Sequence, residues 1–440
     1  MRALVFERSL PRYAAARLAG AVAPGLGSRV GPLSLSDIHE PDLPGPGWHR
    51  VRPRLAGICG SDLATVDGHS SRYFEPLVSF PFVPGHEVVG ELDDGSRVVL
   101  EPVLACESRG VLPPCPACAG GHVDRCERLA FGHLEPGLQT GYCSDTGGGW
   151  STALVAHDSQ LHPVPDGMTD EAAVMVEPAA CAVHAALAAG AYGRTVLVLG
   201  AGTLGLCTVA ALRRFAPPST LMVVAKHPEQ RRLARELGAD LVVGAEEVRR
   251  AVRRTTASLR VGDGLSGGVD VVVDCVGSQS SLADDLAVSR PGGRVVMLGM
   301  PATVLVDLTP LWQRQIELVG SYAYGTEDGA AADGTGTAPR TFELAFDLVA
   351  EAGLDRLVSA AYPLDRYRDA IDHAANAGRR GAVKVVFDLR SERHRSDRVG
   401  SKRQRSDRVG SERRQSDRVG SERQRSDRVG SERDRGESRR

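Results

Sequence analysis

Thr195-Val196-Leu197-Val198-Leu199-Gly200-Ala201-Gly202-Thr203-Leu204-Gly205 is the stretch on which the fold turns. Five residues of strand character run straight into a Gly-x-Gly-x-x-Gly turn, and residues 204–215 continue with helical spacing. That context gives each glycine a separate task. Gly200 permits the tight turn, Gly202 lets a phosphate approach the backbone, and Gly205 lets helix and strand pack closely. The free N–H groups at the helix start, with the helix dipole, form a receptor for a pyrophosphate. Gly200, Gly202, Thr203, Leu204 and Gly205 are therefore candidate dinucleotide-binding residues; the alternative is a strand-to-helix turn with no ligand.

Outward from this stretch the alternation repeats. Residues 221–224 read as strand, 228–237 as helix, and 269–273 and 294–298 as further strands flanked by glycine. Apolar strands alternating with helices predict a doubly wound parallel sheet covered on both faces. The strand at 221–224 leads into Ala225-Lys226-His227, where a site for NAD carries an acid for the ribose hydroxyls. Ala225 removes that acid, and Lys226, His227, Arg231 and Arg232 bring positive charge, which predicts NADP in preference to NAD. Otherwise these cations are the solvated start of the next helix.

Residues 1–165 are rich in Pro and Gly with short β-like runs such as 96–100, the pattern of a loop-rich, mostly β domain. After about residue 320 come a helix at 341–352, an extended segment at 357–364, a helix at 367–377 and a strand at 383–387. The ordered body is expected to end near Leu389. Beyond it a ten-residue unit, Arg-Ser-Asp-Arg-Val-Gly-Ser-Glu-Arg-Gln with small variations, begins at Arg395, Arg405, Gln415 and Arg425. One Val per unit and no aromatic residue after Phe387 predict a disordered tail. Residues 390–440 hold 18 Lys and Arg against 10 Asp and Glu, a balance of +8, which leaves −10 for residues 1–389 of a chain whose net charge is −2. A basic arm for nucleic acid or an acidic partner is one reading. Alternating signs dilute phosphate affinity, so the expectation is a solvated extension without a nucleic-acid partner.

At 440 residues, 42% hydrophobic and 25% charged, the composition is globular and long enough for two domains. No stretch approaches the roughly 18 consecutive apolar residues of a membrane span. The amino terminus meets charge at Arg2 instead of opening into a signal-peptide apolar region. The expectation is a soluble, cytoplasmic protein without a membrane partner. Nine cysteines, four of them within residues 106–126, are too clustered for a secreted disulfide framework and fit metal ligation in a reducing compartment.

Cys115-x2-Cys118-x7-Cys126, with Cys106 nine residues earlier, places four thiols on one Pro- and Gly-rich loop. Four thiolates close a tetrahedral zinc shell with no vacancy, which makes a structural site and not a catalytic one. A second set is dispersed. Gly57-Ile58-Cys59-Gly60-Ser61-Asp62, Gly85-His86-Glu87 and Met175-Val176-Glu177-Pro178 offer a thiolate, an imidazole and carboxylates, and spacing alone does not join them.

These motifs, with Pro84-Gly85-His86-Glu87-Val88-Val89-Gly90 and the glycine turn, stand in an order that resembles the zinc-dependent medium-chain alcohol dehydrogenases over residues 1 to about 389. The branch includes sorbitol, threonine and glucose dehydrogenases. The resemblance implies an α/β architecture: a groES-like β-rich catalytic domain from residues 1–165 and 320–389, a Rossmann domain from 166–319, and the tail at 390–440. It also implies catalytic and structural zinc, a nicotinamide cofactor, a small alcohol, polyol or sugar substrate, and a homo-oligomer, tetramer or dimer.

Carried over residue by residue, Cys59 and His86 resemble the first two ligands of the catalytic zinc, and Glu177 stands at a further ligand position. Glu87 resembles an acid that ligates or sits just outside the shell. Asp62 resembles the carboxylate that orients the zinc-bound imidazole, and Ser61 the hydroxyl that takes the alcohol proton. Tyr73, Trp150 and His69 fall near the pocket. Two departures stand out. Ala64 occupies the place where many members carry the histidine of a proton relay, and Leu112 occupies the expected first position of the cysteine loop, so Cys106 must reach in from upstream. The implied reaction has zinc as Lewis acid at the substrate oxygen, Ser61 passing the proton outward, and hydride going to the nicotinamide ring. A dehydrogenase-like body kept as an inactive binding or regulatory protein is the competing class of reading.

The cofactor reading is tested by the specificity constants for NADP and NAD. NADP is expected to be favoured by on the order of a hundredfold, the yield of two charge-assisted contacts to the 2′-phosphate. Ala225→Asp combined with Lys226→Ala is expected to reverse the preference, and equal constants for the unmodified protein would refute the reading.

Overall fold

Along Thr195–Leu199 the side chains of Val196 and Val198 enter one hydrophobic cluster and those of Leu197 and Leu199 another. The same alternation runs through Thr220–Val224 and Val269–Asp274, so each strand is buried on both faces, as its near-continuous apolar sequence requires. In this computed structural model, which describes residues 1–262, 264–327 and 338–391, these strands form a six-stranded parallel sheet. Its order is Leu241–Val243, Thr220–Val224, Thr195–Leu199, Val269–Asp274, Ser289–Met297 and Glu317–Gly320. One face is covered by the helices Val176–Ala189, Thr203–Phe215 and Thr341–Ala352, the other by Val248–Thr255 and Gln279–Val288. This is the predicted doubly wound sheet.

The segment Asp170–Ala189 is long and apolar enough by composition to cross a membrane. Most of it is buried, and Ala179, Ala182, Val183 and Ala186 pack in the main core, so its apolarity is used inside the fold.

A second, mostly antiparallel sheet holds the remaining chemistry. Trp48–Gly57 is its central strand, joined to Val88–Glu91 on one side and to Lys384–Asp388 on the other, with Leu154–His157 pairing to its first half. Arg97–Leu100 and Leu161–Pro163 extend the sheet beyond Val88–Glu91, and Val358–Tyr362 lies parallel to Lys384–Asp388. Val386 pairs with Gly57, so a strand from the far end of the body lies beside the strand that leads to Cys59. Leu4, Phe6, Ile58, Trp150 and Phe387 form the core here. Helix Leu10–Val22 interrupts the β-rich region; only Ala16 of it is buried, and Leu10, Leu18 and Val22 are exposed.

The decapeptide repeats lie outside the described residues. Arg390, one residue beyond the expected end of the body, is tied down. Its guanidinium meets Asp388 at 2.7 Å, Glu171 at 3.1 Å and Asp170 at 3.5 Å, and the buried Asp170 also accepts from Arg54 at 2.9 Å and Arg97 at 3.0 Å. A chain cut after Ser391 is expected to keep the melting temperature and activity of the full chain. Cutting after Leu389 removes Arg390, whose half-open pairs are worth up to about 1 kcal/mol. Thermal unfolding of the two truncated chains checks both expectations.

Candidate active site

The cysteine loop is self-contained. The four Sγ atoms of Cys106, Cys115, Cys118 and Cys126 lie within 4.8 Å of one another. Cys106 and Cys126 are 3.8 Å apart, about the edge of a tetrahedron with the roughly 2.3 Å arms of a zinc–thiolate bond. The N–H of Cys115 points at Cys106 Sγ and that of Arg128 at Cys126 Sγ, both at 3.4 Å, which favours the thiolate forms. Burial pushes the Cys115 thiol up, but the N–H groups of Cys118 and Glu127 outweigh it and bring it down to about 7. The donor set therefore fits zinc. Leu112 points into solvent and Cys106 is fully buried, so the upstream cysteine does reach in.

The second set comes from three separate segments, and its ligand atoms do not form a group as close as the loop cysteines among the described residues. Strand Trp48–Gly57 ends just before Cys59, which caps helix Gly60–Val66; the Cys59 N–H donates to Asp62 Oδ2 at 2.9 Å. The other oxygen of Asp62 lies 3.5 Å from His86 Nδ1, and both side chains are buried. Burial would depress the His86 imidazole, but the charge of Asp62, with a further contribution from Cys59, holds it well above the ordinary value. Asp62 and Cys59 thus act on one buried ring, the arrangement of an oriented metal-binding histidine.

Glu177 projects from the first turn of helix Val176–Ala189 and accepts a hydrogen bond from Tyr324 Oη at 3.2 Å, with Cys181 Sγ at 3.8 Å. Burial, with the charge of Glu87 adding to it, pushes this carboxyl up to about 7 against the opposing pull of His86 and Lys384. Glu87 is committed elsewhere. Its carboxylate forms a fully buried ion pair with Lys384 Nζ, which also lies 3.4 Å from the Ile58 carbonyl. Burial alone would depress Lys384; the charges of Glu87 and Cys59 hold it above its ordinary value. A Cβ on Gly57 would collide with Glu87 and come within 2.8 Å of Lys384 Cε, so glycine makes room for the pair.

Other expected positions differ. Trp150 is fully buried and donates from Nε1 to the Gly57 carbonyl at 3.1 Å, so it is a core residue and not a pocket wall. Tyr73 and His69 are exposed. Ser61 is half-buried and lies near the hydroxyl of Tyr142, which reaches Thr65 Oγ1 at 3.3 Å. Sequence reasoning missed Tyr142, Tyr324 and Lys384; of these only Lys384 carries a signal, a lone charge inside an apolar strand.

The glycine turn has the expected form. Gly200 sits at φ +95°, a Cβ on Gly205 would collide with the Gly200 carbonyl, and the space beside Gly202 is open. Gly202 and Thr203 share a cavity of about 250 Å³ with Ile58, Gly60 and Leu63, which flank Cys59, and with Gln230 and Gly378. That cradle fits a dinucleotide phosphate. Ala225 is buried and Lys226 exposed. Of the expected cations, Arg231 turns back to donate to the Ala225 carbonyl at 2.9 Å. Arg232 is closed between Glu229 and Glu236 and is not free for a phosphate.

Residues 45–166 match the alcohol dehydrogenase GroES-like domain and residues 203–335 the zinc-binding dehydrogenase domain. An L-threonine 3-dehydrogenase of Streptomyces avermitilis is 30% identical over 81% of this chain and 96% of its own length. The chain belongs to the zinc-dependent medium-chain alcohol dehydrogenase family. A sorbitol dehydrogenase of Arabidopsis thaliana is 28% identical over 79% of this dehydrogenase and 90% of its own length. A Sinorhizobium meliloti 1021 protein solved with NADP bound is 26% identical, with a TM-score of 0.61 over 81% of this chain and 96% of that one. As a family member the protein is a nicotinamide-dependent oxidoreductase.

The ion pair gives a direct test of the site's construction. Lys384→Met leaves a buried carboxylate without its partner and is expected to cost about 3–5 kcal/mol. Lys384→Met with Glu87→Gln removes both charges and is expected to recover at least half of that loss. Urea denaturation of the metal-loaded proteins measures both, and equal losses would show that the charges are not coupled.

Proposed function

We propose that this dehydrogenase moves hydride between the carbon of a small alcohol, polyol or sugar and NADP, in the cleft where Cys59 and the glycine turn meet. The observation that carries the reading is the shared cavity: Ile58, Gly60 and Leu63, around Cys59, line it together with Gly202 and Thr203. A dinucleotide seated on the glycine turn then has its reactive end close to the buried imidazole and thiol. The choice of coenzyme rests on Ala225, which offers no carboxylate, and on the exposed Lys226 beside it.

In this reading Cys59, His86 and Glu177 hold a zinc ion, and Cys106, Cys115, Cys118 and Cys126 hold a second one. Zinc at the first site supplies a Lewis-acid contact to the substrate oxygen. Asp62 keeps the proton of His86 on Nδ1, leaving Nε2 as the donor atom. Glu87, paired with Lys384, serves as an outer charge and not as a ligand. Ser61 receives the alcohol proton beside Tyr142, in a chain where Ala64 offers no imidazole. Tyr324 fixes the Glu177 carboxylate through its hydrogen bond to Oε1.

The parts divide as residues 1–165 and 320–389 for the catalytic half and 166–319 for the nucleotide half. The assembly is a homo-oligomer: the edge strand Glu317–Gly320 carries the partly exposed Leu318, and Leu308 and Trp312 just before it are exposed. None of the nine cysteines is joined in a disulfide, in keeping with a cytoplasmic location.

His86→Ala is the decisive variant. The unmodified chain is expected to carry two zinc ions and His86→Ala one, with turnover abolished and NADPH binding retained. Elemental analysis, nucleotide binding and an alcohol and sugar panel read the three outcomes; an active His86→Ala protein would overturn the mechanism.

A further inference from the structure

One wall of the cavity beside the glycine turn is built by the carboxyl-terminal segment, through Ala377, Gly378, Ala382 and Val383. Residues Ala377–Arg380 form a short turn between helix Tyr367–Ala375 and strand Lys384–Asp388, and this turn lies against the start of helix Pro228–Glu236. A Cβ on Gly378 would fall 2.8 Å from His227 Nε2 and 3.1 Å from Gln230 Nε2, so a glycine is needed for this approach. Gly378 and Gln230 line the same cavity as Gly202 and Thr203. The next two residues are arginines with different fates. Arg380 is anchored to Asp372, whereas Arg379 is exposed and has no acidic partner among the described residues.

Electrostatics agrees with the geometry. His227 is held below the usual imidazole range by burial first and then by the positive charges of Lys226 and Arg379. His227 follows Ala225 and Lys226, the position from which the adenosine ribose is read in this type of fold. Arg232, closed by two glutamates, contributes little positive charge there, and Arg231 has its Nε engaged. Arg379 supplies a charge from the opposite side of the same spot.

We propose that Arg379 is a specificity-determining residue for the coenzyme, meeting the 2′-phosphate of NADP from the carboxyl-terminal segment while Lys226 meets it from the nucleotide domain. The proposal rests on the NADP reading above. A phosphate monoester carries close to two negative charges at neutral pH, and a guanidinium fork matches its oxygens better than an ammonium does. The turn that carries Arg379 continues into the strand beside Cys59, so the phosphate contact spans both halves of the protein.

The test is equilibrium binding of adenosine 2′,5′-bisphosphate and of 5′-AMP to the full-length chain and to Arg379→Gln. The unmodified chain is expected to bind the bisphosphate more tightly than AMP, and Arg379→Gln to lose about tenfold of bisphosphate affinity with AMP affinity unchanged. If the bisphosphate advantage survives in Arg379→Gln, Arg379 is not the contact and the NADP reading stands on Lys226. An equal loss for both probes means that the arginine serves the 5′-phosphate or the turn, which also overturns the proposal. If the unmodified chain shows no bisphosphate advantage, the NADP reading itself fails.

Discussion

A lysine and a glutamate, both fully withdrawn from water, hold the catalytic half together. Glu87 follows His86, Lys384 lies on the last strand of the body, and Gly57 between them has no side chain to obstruct their meeting. Neither charge is tolerable alone in such a place, since an isolated buried ion costs several kcal/mol. Each therefore requires the other, and their union brings three distant segments to one point beside Cys59. It also commits one of two buried carboxylates, leaving Glu177 as the acid that burial and the charge of Glu87 push up to about 7.

The cysteine lobe and the dispersed set are built on opposite principles. The cysteine lobe draws all its donors from 21 consecutive residues, and backbone N–H groups tune its thiols. The dispersed set draws on three segments of chain, and its groups are tuned by one another: Asp62 and Cys59 on His86, and Glu87 on Glu177. A local lobe tolerates change elsewhere in the fold. A site of mutual charges does not, because altering one member shifts the protonation of the rest.

The nucleotide half was legible because strand period, glycine turn and flanking helices all agree, and the alternation of Val196 and Leu197 between two cores is a direct consequence of the buried apolar run. Cys106 was legible by type, although its reach across Leu112 took folding to show. Helix Leu10–Val22 was not, since it buries only Ala16 and so carries no apolar stripe to read, and it contains Pro11 and Gly20. Trp150 was misplaced because family position does not tell whether an aromatic ring faces ligand or core. Lys384 could have been found: one charge in Val383-Lys384-Val385-Val386-Phe387 demands a buried partner, though nothing in the sequence names Glu87 as that partner. Arg232 looked available from composition, and only the helix geometry shows Glu229 and Glu236 closing on it.

The pairing of Lys384–Asp388 with the strand that ends at Gly57 bears on how the chain is made. Ile58 and Lys384 are 326 residues apart. At about 5–20 residues per second, a growing chain carries the unpaired edge of Trp48–Gly57 for tens of seconds before its covering strand leaves the ribosome. The six parallel strands, all lying between residues 195 and 320, are complete well before that. The nucleotide half thus has its full sheet first, while the catalytic half waits with an open edge, the exposure that invites pairing with a neighbouring chain. Burial of Glu87 against Lys384 falls to the last stage of synthesis, so premature termination yields a protein with the nucleotide sheet but with Glu87 unpaired.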